Sequence, residues 1–174
     1  CEKNYIQQLT LDKPKKIETV YVSHLNFTLQ TPKLIINKIS KKITLLLNEN
    51  IENLLNEFDN KIIQLISENS ADFFEEKMNI DESEEIYKHS FKNTKNDPKI
   101  NLSINPKITI FNKYKEQIKI ESLCPGDIVI CLLKCKKIVF YKNHCEPIWE
   151  VFQIKLKEES LKTNQYLFVN DDND

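Results

Sequence analysis

The first residues with chemistry to offer are the cysteines. Cys124, Cys131, Cys135 and Cys145 fall close together, with His144 beside the last, and raise the question of zinc. Structural zinc sites present closely spaced cysteine pairs on turns. Here Val129, Cys131, Leu133 and Cys135 share one face of an apolar run, the pattern of buried thiols acting as small hydrophobes. That leaves His144 and Cys145, in a loop, as the one open pair, and no metal or cofactor is expected. Nucleophilic catalysis has no footing. The sequence lacks a G-x-S-x-G elbow and an H-E-x-x-H helix, and its one glycine rules out a Gly-rich phosphate loop. The acid pairs Asp81/Glu82 and Glu84/Glu85 open a helix, where negative charge complements the dipole. The chain is therefore read as a non-enzyme.

A different chemistry is written in residues 134–157, KCKKIVFYKNHCEPIWEVFQIKLK, where lysines alternate with aromatics. Single-stranded nucleic acid is held by positive charge along its backbone and by aromatic faces that stack its bases. By strict alternation, Lys137, Val139 and Tyr141 share one face, and Trp149 shares one with Val151, Gln153 and Lys155. Phe152, Ile154 and Leu156 then form the apolar face. Lys134, Lys136, Lys137, Tyr141, Lys142, Trp149 and Lys155 are the candidate nucleic-acid-binding residues, and Tyr141 and Trp149 the stacking platforms. The competing reading makes the aromatics core and the lysines their solvated rim.

Charge supports a polyanion partner only when divided along the chain. The formal net charge is −1, all 25 basic side chains are lysine, and arginine is absent. Bidentate arginine forks are thus excluded, and phosphate contacts fall to lysine, backbone N–H and hydroxyls. Residues 1–48, 99–120 and 132–157 are basic, whereas 49–86 and 158–174 are acidic, so a partner can meet one block without the other. The heavy use of Lys, Asn and Ile follows the composition of an AT-rich genome and weakens counts alone as a functional signal. Cysteine usage without a signal-peptide pattern argues for reduced thiols, in a cytosolic or nuclear compartment rather than outside the cell. No apolar run approaches the roughly 18 residues of a membrane span.

The elements that must position these residues follow from periodicity. Alternation and a turn at residues 40–42 predict three or four strands over 17–47. Ile51, Leu54, Leu55, Phe58, Ile62, Leu65 and Ile66 are spaced as one face of an amphipathic helix. Asp81 with Glu84 predicts a capping box opening a second helix that runs towards Phe91. Strands resume over 99–157, broken at Asn105-Pro106, at 113–115, at Pro125-Gly126 and at 143–147. The expectation is one globular domain over 1–169 (strands 17–47, helices 50–91, strands 99–157) and an acidic tail at 170–174. Its fold class is α+β, mainly β: an OB-like antiparallel Greek-key barrel with a two-helix acidic insertion, or a two-sheet β-sandwich with helices on one side.

Two stretches carry a resemblance. ISENSADFFEEKMNIDESEEIYKHSFK (66–92) and GDIVICLLKCKKIVFYKNHCEPIWEVFQIKL (126–156) resemble the phage-type single-stranded-DNA-binding proteins of nucleocytoplasmic large DNA viruses, through an E-N-S-x-x-W/F-F element, an acidic helix and a W-x-x-x-Q-like element at Trp149 to Gln153. The resemblance implies an OB fold and a non-enzymatic role in viral DNA replication, recombination or repair, at a viral replication site in the host cytoplasm or in the nucleus. It also implies single-stranded DNA as partner, replication proteins met through the acidic C-terminus, and a sheet-surface role for Lys136, Lys137, Tyr141, Lys142, Trp149 and Lys155. The alternative is a protein-interaction or structural module of a virion or transcription complex.

Overall fold

The computed structural model describes residues 2–94 and 97–160. In chain order these form α1 (Glu2–Gln7), β1 (Lys15–Ile17), β2 (Val20–Gln30), β3 (Leu34–Ile39), β4 (Lys42–Leu46), α2 (Glu49–Phe74), α3 (Ile80–Ile86), β5 (Lys92–Thr94), β6 (Asp97–Phe111), β7 (Gln117–Ile118), a 3-10 turn (Ile120–Ser122), β8 (Ile128–Phe140) and β9 (Cys145–Glu158). The chain opens with α1 and carries β5 at Lys92–Thr94, neither of which the sequence reading anticipated; between and beyond them strands, two helices and strands follow in turn. The acidic tail at 170–174 lies outside the described residues.

Pairing closes the strands into a ring. β8 pairs antiparallel with β9, with β2 and with the start of β3; β3 pairs with β4, β4 with β6, and β6 with β9 in parallel. β2 and β3 act as one bent strand along β8. Thr31, buried at the bend, keeps that edge satisfied: its N–H donates to the Cys131 carbonyl (2.9 Å) and its Oγ1 accepts from the Cys131 N–H (2.9 Å). The result is a barrel of the OB type, mainly β, and the closed ring overturns the sandwich alternative.

The barrel interior is apolar and α2 covers it. Asn48 caps α2, its side chain accepting from the Ile51 N–H at 3.1 Å. The predicted face is the buried one, with Ile51, Leu55, Phe58, Ile62, Leu65 and Ile66 inward. Phe58 packs against Phe27 of β2 (centroids 5.2 Å apart) and Trp149 of β9 (4.9 Å), joining helix and barrel in one aromatic cluster.

Several local expectations are corrected. The cap of α3 is Asn79, whose Oδ1 accepts from the Glu82 N–H at 2.8 Å, so Asp81 lies inside the first turn. The helix stops at Ile86 instead of reaching Phe91, because Tyr87 turns extended and bridges to Cys145. Asn105-Pro106 bends one long strand instead of separating two: the β6–β9 register shifts between Ile104 and Thr109. The segment expected as a strand near 117–122 shrinks to β7 and the 3-10 turn.

The Pro125-Gly126 turn is as read, and its anchor is Asp127. That buried carboxylate accepts from the backbone N–H of Cys124 and of Ser160, both at 2.7 Å. Gly126 has φ +95°, and a Cβ there would meet Ser160 Cβ at 3.0 Å. Gly126→Ala is expected to lower stability by about 1 kcal/mol or more, through left-handed strain plus the forced shift of residue 160. Urea denaturation reads this, and an unchanged midpoint would contradict it.

Candidate nucleic-acid interface

Two β-bulges decide where the predicted residues point. Along β8, Val129, Cys131, Leu133 and Cys135 are buried in alternation; the β8–β9 register then shifts between Cys135 and Lys137, and beyond it Ile138 and Phe140 face in. Lys136 is the extra residue, and it and Lys137 are both exposed. On β9 the register passes from Val151 to Gln153, skipping Phe152. Cys145, Trp149 and Val151 face in before this point, and Ile154 and Leu156 after it. The grouping of Trp149 with Gln153 and Lys155 on one face is therefore corrected. The bulge shifts the alternation by one, sending Trp149 inward (3 % exposed) while Lys155 stays half-buried on the outside. Trp149 belongs to the core and is no stacking platform. Phe152 is on the outside instead, with Lys134 Nζ 3.9 Å from its ring centre.

Tyr141 and Lys142 occupy the tip of the β8–β9 hairpin. Tyr141 is 40 % exposed, and its ring stacks on His144 with centroids 4.7 Å apart and planes 16° apart. Partial burial, then the neighbouring Glu146 carboxylate, raises its phenol above the ordinary value. Cys145 is not a loop residue beside His144 but the buried first residue of β9. Burial pushes the thiols of Cys131, Cys135 and Cys145 up to about 12, keeping them neutral.

The sequence reading missed a groove that the tertiary structure assembles. On one edge of β6, β5 pairs at residues 97–99 and β9 joins only from Ser103. The strands part between these points, and residues 88–91 run beside the gap, tied by the Lys88 N–H to the Cys145 carbonyl (2.8 Å) and by Trp149 Nε1–H to Ser90 Oγ (2.8 Å). The cavity here is about 130 Å³ and is lined by Lys42 of β4, Lys88, His89, Lys92 of β5, and Lys99, Asn101 and Ser103 of β6. Four lysines face one acid in this lining, Glu146, which pairs with Lys88 at 3.4 Å. Such a concave cluster focuses positive potential. The basic composition of 1–48 and 99–120 hinted at Lys42 and Lys99, but no local signal marked Lys88, His89 or Lys92.

Beneath the groove lies a buried polar network. Asp59 of α2 accepts from Tyr87 Oη (2.5 Å), Ser90 N–H (2.9 Å) and Ser90 Oγ (2.6 Å), and Ser90 Oγ in turn accepts from Trp149. Every member is satisfied, so the network fixes the groove wall to α2 and β9. Burial raises Asp59 above its ordinary value despite the bonds from Ser90 and Tyr87, and burial plus Asp59 raises Tyr87, which stays a donor.

Residues 32–170 match the family of unknown function DUF5871. The chain belongs to DUF5871. No curated protein matches the sequence. Among solved structures, the DUF5871 chain is similar to a single-stranded DNA-binding protein from bacteriophage Enc34, in a C-terminal truncation: the identity is 11 %, 86 % of this chain and 96 % of that one are covered, and the TM-score is 0.51. The same phage protein in complex with single-stranded DNA matches with 10 % identity, the same coverage and a TM-score of 0.47. At this distance the first of these likenesses shows the OB-like fold and nothing further.

Two predictions follow from this packing. Trp149→Ala is expected to cost about 3–5 kcal/mol in urea denaturation, while Tyr141→Ala costs under about 1 kcal/mol; equal losses would contradict the placement. For Asp59 the folded state keeps a proton that the unfolded state has released once the pH exceeds 3.8, so its contribution to stability falls as pH rises towards its raised value. Unfolding free energies of the wild type and Asp59→Asn, compared across that window, should shift against the wild type with rising pH. Parallel curves would refute this.

Proposed function

We propose that this DUF5871 chain binds single-stranded DNA without sequence preference, through the basic groove on the outer face of β4 and β6. The observation that carries the reading is the gathering of Lys42, Lys88, Lys92 and Lys99 around one cleft of an OB-like barrel. In the ring, the bent β2–β3 strand, β4 and β6 stand as first, second and third strands, and β8 and β9 as fourth and fifth. OB folds bind oligonucleotides on the face of strands two and three, between the loops joining strands one and two and strands four and five. Those loops are here the turn at 40–41 and the hairpin tip bearing Tyr141 and Lys142.

Lysine without arginine at the cleft suits a partner read by charge along its backbone rather than by base-edge forks. The exposed hairpin pair Tyr141–His144 supplies aromatic surface for stacking. The phage protein of similar fold is described as a single-stranded DNA-binding protein, and the same ligand is proposed here, with binding rather than catalysis as the activity. On the sequence resemblance, the setting is viral DNA replication, recombination or repair, in the host cytoplasm or nucleus, with the acidic C-terminus as a contact for replication proteins.

Anisotropy of a labelled oligo-dT over a range of salt concentrations tests this. Affinity should fall steeply with salt, and Lys42→Ala/Lys99→Ala should weaken binding several-fold and reduce the log–log salt slope by roughly 1.4. Absence of binding at low salt, or a slope the double variant leaves unchanged, would sink the proposal.

A further inference from the structure

A second cavity, about 660 Å³, shares none of its lining with the basic groove. Its volume is within the range of small-molecule sites, roughly 300–1,000 Å³. One wall is the outer face of β2, where the strand bulges between His24 and Phe27 and presents His24, Asn26 and Thr28. The opposite wall comes from α1 and the turn after it. Ile6 and Leu9 are buried and anchor that segment to the core. The Asp12 N–H donates to the His24 carbonyl (3.0 Å) and the Ser23 hydroxyl donates to the Asp12 carbonyl, fixing the segment to the strand. Tyr5, Gln8 and Asp12 then line the cleft, and Tyr5 is 65 % exposed.

This lining has the chemistry of a base site. An aromatic face stands ready for stacking, and amide, imidazole, hydroxyl and carboxylate groups offer both donors and acceptors to base edges. Charge lies beside it. Lys137 is the cross-strand partner of His24, and Lys136 occupies the bulge opposite Leu25 and Asn26; both lysines are exposed. Directly opposed residues project from the same face of an antiparallel pair, so Lys137 stands on the cleft side of β8.

We propose that this cleft is a nucleotide site: a base against Tyr5 and the polar wall of β2, and its phosphate on Lys136 and Lys137. An internal unit of a DNA strand and a free mononucleotide offer the same chemistry. The strand form rests on the function proposed above; the mononucleotide form does not.

Amide chemical shifts of the whole protein, titrated separately with dTMP and with short oligo-dT, distinguish the cases. Saturable shifts at His24, Asn26 and Thr28 are expected, and Tyr5→Ala or Lys136→Ala/Lys137→Ala should weaken the response roughly tenfold with an unchanged thermal midpoint. Cleft shifts with oligo-dT alone assign the site to a strand, and cleft shifts with dTMP assign it to the free nucleotide even where oligo-dT fails to bind. If oligo-dT binds, perturbs only the groove of Lys42 and Lys99, and is held equally well by the cleft variants, the cleft proposal falls while DNA binding stands. If neither ligand moves any amide, both fall.

Discussion

The parallel pairing of β6 with β9 is the contact on which the rest of this structure depends. Every other pairing between the ring strands is antiparallel and would leave an open sheet with two exposed edges. Joining β6 to β9 removes those edges and divides each strand into an inner and an outer face. It also sets Trp149 against Phe27 and Phe58 in the interior.

That closure is incomplete, and the gap is where polar chemistry concentrates. β9 meets β6 only from Glu150 onward, so its first residues need another neighbour. The chain leaving α3 supplies one through Tyr87 and Lys88, and Ser90 links Trp149 to Asp59. A buried carboxylate costs stability unless its bonds are met, and here donors from two residues meet it. The same segment brings Lys88, His89 and Lys92 beside Lys42 and Lys99. The network that seals the barrel thus also shapes its basic groove.

The two clefts flank the barrel differently. One is a lysine-rich channel along β4 and β6, suited to a charged backbone; the other is a polar pocket with an exposed tyrosine at β2. On the two proposals above, a long flexible polyanion with stackable bases would engage both kinds of surface, since charge neutralisation and stacking act at different points along it.

The sequence alone determined whatever rests on local periodicity and turn chemistry. The alternation over 17–47, the buried face of α2, the Pro125-Gly126 turn and the burial of Cys131 and Cys135 were all legible, because each depends on residues a few positions apart. The fates of Trp149 and Phe152 were not. Alternation extrapolates one register along a strand, whereas a bulge is set by the partner strand, and one extra residue on β9 reversed the faces beyond it. Lys42, Lys88, Lys92 and Lys99 likewise come from three strands and a connecting segment, each unremarkable in a lysine-rich chain. Only long-range pairing brings them together, so the electropositive groove is a property of the folded barrel and not of any stretch of its sequence.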